Sequence, residues 1–261
     1  RTARPAHWRV GEKLLLAAPL ALVAGYVAWH GAAWMAGYRL RDFTPGERLL
    51  TEARVLCDYL ALAVWPRPAA LGLFHDDYAV AHGILAPPQT LAAVLFWAVL
   101  AAGALRMRQR WRFFSFGVLW FLAGHLLEAS FLPLELYFEH RNYLPLAGVL
   151  YALVQTGWEA GAKAGATGVL RALRLAGAAV LLGLAWLTWR EAVLWGNPPL
   201  QAATWAREHP GSIRAQENWA GMLAASGHFQ PAAERFAALA EGPLHDAPAY
   251  LAWLRVACDD Q

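Results

Sequence analysis

Long uncharged stretches alternate with short basic ones along this 261-residue chain. A helix needs roughly 20 mostly apolar residues to cross the hydrocarbon of a bilayer. Runs at 14–38, 87–105, 113–133, 144–158 and 169–189 therefore predict about five transmembrane spans. The third carries His125 and Glu128 near its far end, and the fifth opens on Arg171 and Arg174. The pattern predicts an all-α protein: a polytopic helix bundle over 1–195, followed by a helical region over 197–261.

Basic residues orient the spans, because cytoplasmic loops carry an excess of Lys and Arg. Arg1, Arg4, Arg9 and Lys13 precede the first run. Arg106, Arg108, Arg110 and Arg112 join the second to the third. Lys163, Arg171 and Arg174 lie between the fourth and fifth. Five spans put all three clusters on one side, which reads as cytoplasmic. The segment 39–86, the connector 134–143 and everything after Glu191 then face outward.

The outer segments have patterns of their own. Residues 46–64 place Leu49, Ala53, Leu56 and Leu60 on one helical stripe, with Glu47, Arg48, Glu52 and Asp58 mostly opposite. That predicts an amphipathic helix lying on the membrane or packed on the bundle. Thr44-Pro45 is a helix-start signal, and Pro66 and Pro68 end the helix. Within 215–242, Asn218, Ala220, Leu223, Gly227, Phe229, Ala232 and Phe236 follow tetratricopeptide spacing, with Gly227 at the turn. One such unit cannot bury its own face. The array is expected to continue beyond the chain or to pack on the bundle, and the chain is expected to be a fragment.

Composition agrees with a membrane protein. Hydrophobic residues make up 58%, charged residues 16%, and mean hydropathy is +0.31; soluble domains carry about 25% charged residues. A net charge of +3 without a basic–aromatic stripe gives no reason to expect nucleic acid as a partner. Cys57 and Cys258 fit no zinc or CxxC spacing and read as free thiols.

Candidate chemistry concentrates at the outer edge. The stretch GVLWFLAGHLLEASFLPLELYFEHRNYLPLA, residues 117–147, crowds ionisable groups between two apolar runs. Such groups are costly near lipid, so their first reading is functional. Glu139, His140 and Arg141 are consecutive; Arg suits bidentate phosphate contacts, and Asn142 and Tyr143 suit a sugar or headgroup. His125 and Glu128, at i and i+3, would share a helix face pointing into the bundle, with Glu135 beyond. The structural alternative is that Glu139 pairs with Arg141 or another Arg, and His125 with Glu128. In the outer loop, the adjacent carboxylates Asp76 and Asp77 would suit a divalent cation or a general base, with His75 and His82 nearby. Their alternative reading is turn chemistry.

Three stretches carry a resemblance: FTPGERLLTEARVLCDYLALAVWPRPAALGLFHDDY, HLLEASFLPLELYFEHRNYLPLAG and the repeat-like unit after the last run. Together they resemble bacterial polytopic membrane proteins with C-terminal tetratricopeptide repeats. Their layout is similar to that of the transmembrane-and-tetratricopeptide O-mannosyltransferases of the GT-C class. The resemblance implies transfer of a sugar from a lipid-phosphate donor to a protein hydroxyl, on the periplasmic face of a bacterial inner membrane. It implies that Asp76, Asp77, Glu139, His140 and Arg141 line the donor and acceptor cleft. His140 and Arg141, with Tyr143, would hold the donor phosphate; Glu139 would orient Arg141 or the acceptor; Asp76 or Asp77 would bind a cation or the acceptor. His75, His125, Glu128 and Glu135 would support them, and the repeats would select protein acceptors. A further catalytic acid is expected in an N-terminal half outside this chain.

Two other functions fit the pattern. One is a non-enzymatic membrane anchor for a repeat scaffold in envelope, pilus or secretion assembly. The other is a polymerase or ligase acting on lipid-linked oligosaccharide.

Overall fold

The computed structural model describes residues 6–163, 167–241 and 252, whose regular structure is helix joined by turns and loops, with no strand among them. Among these residues nine α-helices run in order: α1 Ala6–Gly37, α2 Pro45–Val64, α3 Gln89–Met107, α4 Arg112–His125, α5 Tyr143–Lys163, α6 Thr167–Trp195, α7 Pro198–Glu208, α8 Ile213–Ala225 and α9 Phe229–Ala240. The all-α expectation holds for the described residues. Arg1, Arg4, Cys258 and most of the chain after Glu241 lie outside them.

Among the described residues, two helices are long and apolar enough to cross a membrane: α3, and α6 over Arg171–Trp195. No residue in the apolar window of α6 is buried, an arrangement a lipid solvent permits and water does not favour. The third expected run is helical only to His125; residues 126–138 are turns and extended chain. At 1.5 Å per residue α4 is about 21 Å long, short of a bilayer core of about 30 Å. At its end the C-cap N–H of Leu126 closes a tight turn onto Ala123 O.

The core forms where α2 meets α3 and α4. Thr44 and Glu47 make a reciprocal capping box at the start of α2, with Pro45 in the first turn. Val55, Leu56, Tyr59 and Leu62 pack against Trp97 of α3, Phe121 of α4 and Tyr137 of the connector. Trp97 stacks on Phe121 at 5.3 Å and donates from its indole N–H to the Ala53 carbonyl at 2.9 Å. Helices α4 and α5 pack closely because small residues face each other. A Cβ at Gly117 would lie 2.6 Å from the Ala152 side chain, so only glycine permits this approach.

The expected amphipathic axis of α2 is rotated. Leu49 is half exposed, while Arg48 and Glu52, assigned above to the polar face, are buried with Val55, Tyr59 and Leu62. Helix α2 therefore belongs to the bundle and turns a charged pair inward.

After α6 the chain becomes a helical hairpin preceded by α7. Asn197 and Ser212 cap α7 and α8 by accepting N–H bonds from Leu200 and Ala215. Ala220, Ala232 and Phe236 form the seam between α8 and α9. Gly227 turns between them at φ +79°, a left-handed conformation that favours glycine. The helix–turn–helix expected from the spacing is present at these residues.

Candidate functional site

The connector end of the bundle is organised around one buried side chain. Arg48 is fully buried on α2, and its guanidinium is ringed by connector carbonyls. Nε donates to Ser130 O at 3.0 Å, Nη2 to Glu128 O at 2.6 Å, and Nη1 to Leu134 O at 2.5 Å and Glu135 O at 3.3 Å. These carbonyls sit in a non-helical turn, so they have no helical partners to saturate them. Glu52, one helical turn on, lies 2.7 Å from Nη2 in an ion contact without hydrogen-bond alignment. Burial pushes the Glu52 carboxyl up to about 7 against the pull of Arg48 and Arg141. Burial likewise lowers the Arg48 guanidinium, with Glu52 opposing it.

Tyr59 continues the same stripe. Its hydroxyl donates to Phe138 O at 2.8 Å and accepts from Phe138 N–H at 2.9 Å, locking the connector to α2. Burial raises its phenol well above the ordinary value. His125 stacks on Tyr59 at 5.7 Å, and its Nδ1–H donates to Phe121 O at 3.0 Å. Its Nε2 and the Oδ1 of Asn142 are buried without partners among the described residues.

The connector residues split into two groups. Arg141 folds inward: Nη1 donates to Glu135 O at 2.6 Å, Nε lies 3.7 Å from the Glu128 carboxylate, and the guanidinium packs over Phe138. His140 packs on the same Phe138 ring from an exposed position, and Tyr143 is 78% exposed. Phe138 is thus the common floor for His140 and Arg141. The expected pairing of His125 with Glu128 does not form, because the helix ends between them and Glu128 turns towards Arg141. Nor does Glu139 pair with Arg141; it takes a hydrogen bond with His75 Nε2 at 2.6 Å.

The loop carrying His75, Asp76 and Asp77 joins the connector to the C-terminal helices. Asp76 accepts from Ser212 Oγ–H at 2.5 Å and from Arg214 N–H at 3.3 Å, so it completes the cap of α8. Asp77 lies 3.1 Å from His209 Nδ1, whose other ring nitrogen faces Ala69 O at 3.1 Å. Both acceptors are satisfied together only by a ring carrying both N–H groups. His75 meets His209 edge to face at 5.3 Å and Tyr137 at 4.5 Å. Glu135 lies between two arginines, 3.1 Å from Arg41 and 3.4 Å from Arg214. On the far side, His82 pairs with Glu47 at 2.7 Å, and hydrogen bonds from the Thr44 backbone N–H first and then His82 hold that carboxyl down at about 2.

The two aspartates therefore turn to different donors on α7 and α8 rather than converging. No cluster of three or more His, Cys, Asp or Glu poised for a metal occurs among the described residues, and the donors around this pair do not suit a cation. The groups the sequence reading did not single out are Arg48, Glu52 and Tyr59 as a buried stripe, and Arg41, His209, Ser212 and Arg214 as partners. The 48–52–55–59–62 spacing was a usable signal for the first set; the second set is non-local and had none.

The described residues thus form an all-α protein with two helices suited to a membrane and a polar layer that binds the 65–88 loop, connector and C-terminal hairpin together. No protein family, curated protein or solved structure matches it.

Proposed function

We propose that the chain is part of a GT-C-like glycosyltransferase with about five spans, in a bacterial inner membrane. Its N-terminus is cytoplasmic, and it transfers a sugar from a lipid-phosphate donor to protein on the periplasmic face. The observation that carries this reading is Arg141 with Glu128 at the outer edge of the bundle, flanked by exposed His140 and Tyr143. A guanidinium beside a half-exposed carboxylate, next to a free imidazole and phenol, suits a phosphate and a hydroxyl acceptor. Arg141 is held by one backbone carbonyl and a long ion pair, so a donor phosphate could take its remaining N–H groups.

Asp76, Asp77 and Glu139 are reassigned within this proposal. Each already accepts a hydrogen bond from Ser212, His209 or His75, so each positions a segment rather than attacking. The hairpin, read as a tetratricopeptide unit, would present protein acceptors beside the donor edge.

A second reading has its own support. The aspartate latch onto α7 and α8 is what a membrane platform for a repeat scaffold needs, with no sugar transfer. Comparing envelope-protein masses between wild type and Arg141→Ala in the full-length protein separates the two. Loss of a glycan mass with insertion intact supports the transferase. Unchanged masses sink the phosphate role and favour the scaffold, and loss of long-chain polysaccharide instead points to a polymerase or ligase.

A further inference from the structure

At the opposite end of α3 and α4 lies a second concentration of charge that the outer site does not use. Arg106, Arg108, Arg110 and Arg112 all project into solvent around the α3–α4 turn, with Trp111 among them. Arg112 pairs with Glu159 of α5 at 2.7 Å and stacks over Phe113. Arg106, Arg108 and Arg110 have no carboxylate partner among the described residues. Topology alone accounts for arginines at a cytoplasmic turn, but not for the shape beneath them.

The turn overhangs a concavity of about 650 Å³ walled by Arg110, Trp111, Arg112 and Thr156. Glu159 also lines it and is the one acidic wall. Arg112 and Phe113 are shared with a furrow of about 530 Å³ on the outside of the α4–α5 pair, which continues over Phe116, Trp120, Ala147 and Tyr151. From Arg112 to Trp120 the furrow follows α4 for about 12 Å at 1.5 Å per residue. A cationic mouth thus opens onto an apolar channel that runs towards the membrane interior.

We infer that this turn and furrow form a binding site for an anionic phospholipid of the cytoplasmic leaflet. The phosphate sits between Arg110 and Arg112 at the mouth, and one acyl chain lies over Phe116, Trp120 and Ala147. The charge excess selects an anionic headgroup over a zwitterionic one, because Arg106, Arg108 and Arg110 have no carboxylate partner among the described residues and add positive potential at the mouth. Basic pockets between spanning helices on the cytoplasmic side recognise such headgroups by the same physics. Trp111, half exposed at the mouth, supplies the amphipathic ring favoured at headgroup depth. The site rests on the membrane-spanning reading but not on sugar transfer.

The test uses the full chain reconstituted in phosphatidylcholine bilayers with a trace of spin-labelled phosphatidylglycerol or spin-labelled phosphatidylcholine. The motionally restricted fraction should be several-fold larger for phosphatidylglycerol. Replacing one arginine of the mouth should reduce that preference about fivefold, so Arg110→Gln should bring it close to the phosphatidylcholine value. Ala147→Trp fills the furrow from an exposed position and should lower restriction without touching the charges. Equal restriction of the two lipids, or a preference unchanged in both variants, overturns the site. Full displacement by millimolar inorganic phosphate also overturns it, because a bound acyl chain would resist that competitor. Glycan transfer is measured separately, so a transferase failure leaves this result readable.

Discussion

Asp76 and Ser212 are 136 positions apart in sequence, yet the Ser212 hydroxyl donates to the Asp76 carboxylate at 2.5 Å. Ser212 is itself the N-cap of α8, accepting from Ala215 N–H. The 65–88 loop therefore extends a helix cap supplied by the C-terminal hairpin, and negative charge at a helix N-terminus is favourable.

Asp76→Ala should loosen the hairpin from the loop. A lost cap of this type costs about 1–2 kcal/mol. Hydrogen exchange at the first turn of α8 and limited proteolysis between α6 and α7 should both accelerate, while the α2–α4 core stays protected. Unchanged exchange in α8 would show that the latch is not energetically coupled.

Arg48→Ala should be the most damaging single change in the outer layer. It strands Glu52 in the interior and releases the carbonyls of residues 128, 130, 134 and 135 at once. Breaking one partner of a buried ion pair costs about 3–5 kcal/mol. Arg48→Lys should recover little, because a single ammonium cannot reproduce the forked donor pattern. Thermal unfolding in detergent checks both; a lysine variant as stable as wild type would contradict this account.

Glu52 should make stability depend on pH in an unusual direction for a carboxylate. Its folded value is raised from 4.5 to about 7, so folding favours the protonated acid. That contribution is fully present below about 4.5 and is lost as pH rises through about 7. Glu52→Gln should flatten the stability profile between those limits and leave the acid side nearly unchanged. A wild-type profile that rises across this window would be inconsistent with a buried, desolvated Glu52.

His75 and Glu139 should show pairwise coupling. Their side chains meet at 2.6 Å between a loop and the connector, both partly shielded from water. A double-mutant cycle of His75→Ala and Glu139→Gln should give an interaction of about 0.5–3 kcal/mol. Additive effects would mean the contact contributes nothing.

The apolar periods located the helices well and their facing less well. The 46–64 helix was legible from Thr44-Pro45 and Pro66, because capping and proline geometry are local. Its axis was not, because Arg48 and Glu52 read as solvent-facing charges unless the connector that surrounds them is known. His125 and Glu128 looked like one helix face because nothing short-range announces that α4 stops between them. Asp76, Asp77, Glu139 and Arg141 stood out as ionisable groups, and each makes a polar contact in the structure. Their partners, such as His209 and Ser212, come from across the chain, and no spacing in the sequence encodes that.

The ring of carbonyls around Arg48 also fixes an order of events during synthesis. Its donors emerge on α2, whereas its acceptors, residues 128–135, leave the ribosome about 80 residues later. At 5–20 residues per second that interval lasts about 4–16 seconds. Throughout it, α2 presents an unsatisfied guanidinium and carboxylate beside Val55 and Tyr59, so it must wait in water or among headgroups rather than in lipid. The connector is therefore what admits α2 to the bundle, and any truncation before residue 135 should leave that helix without a folded home.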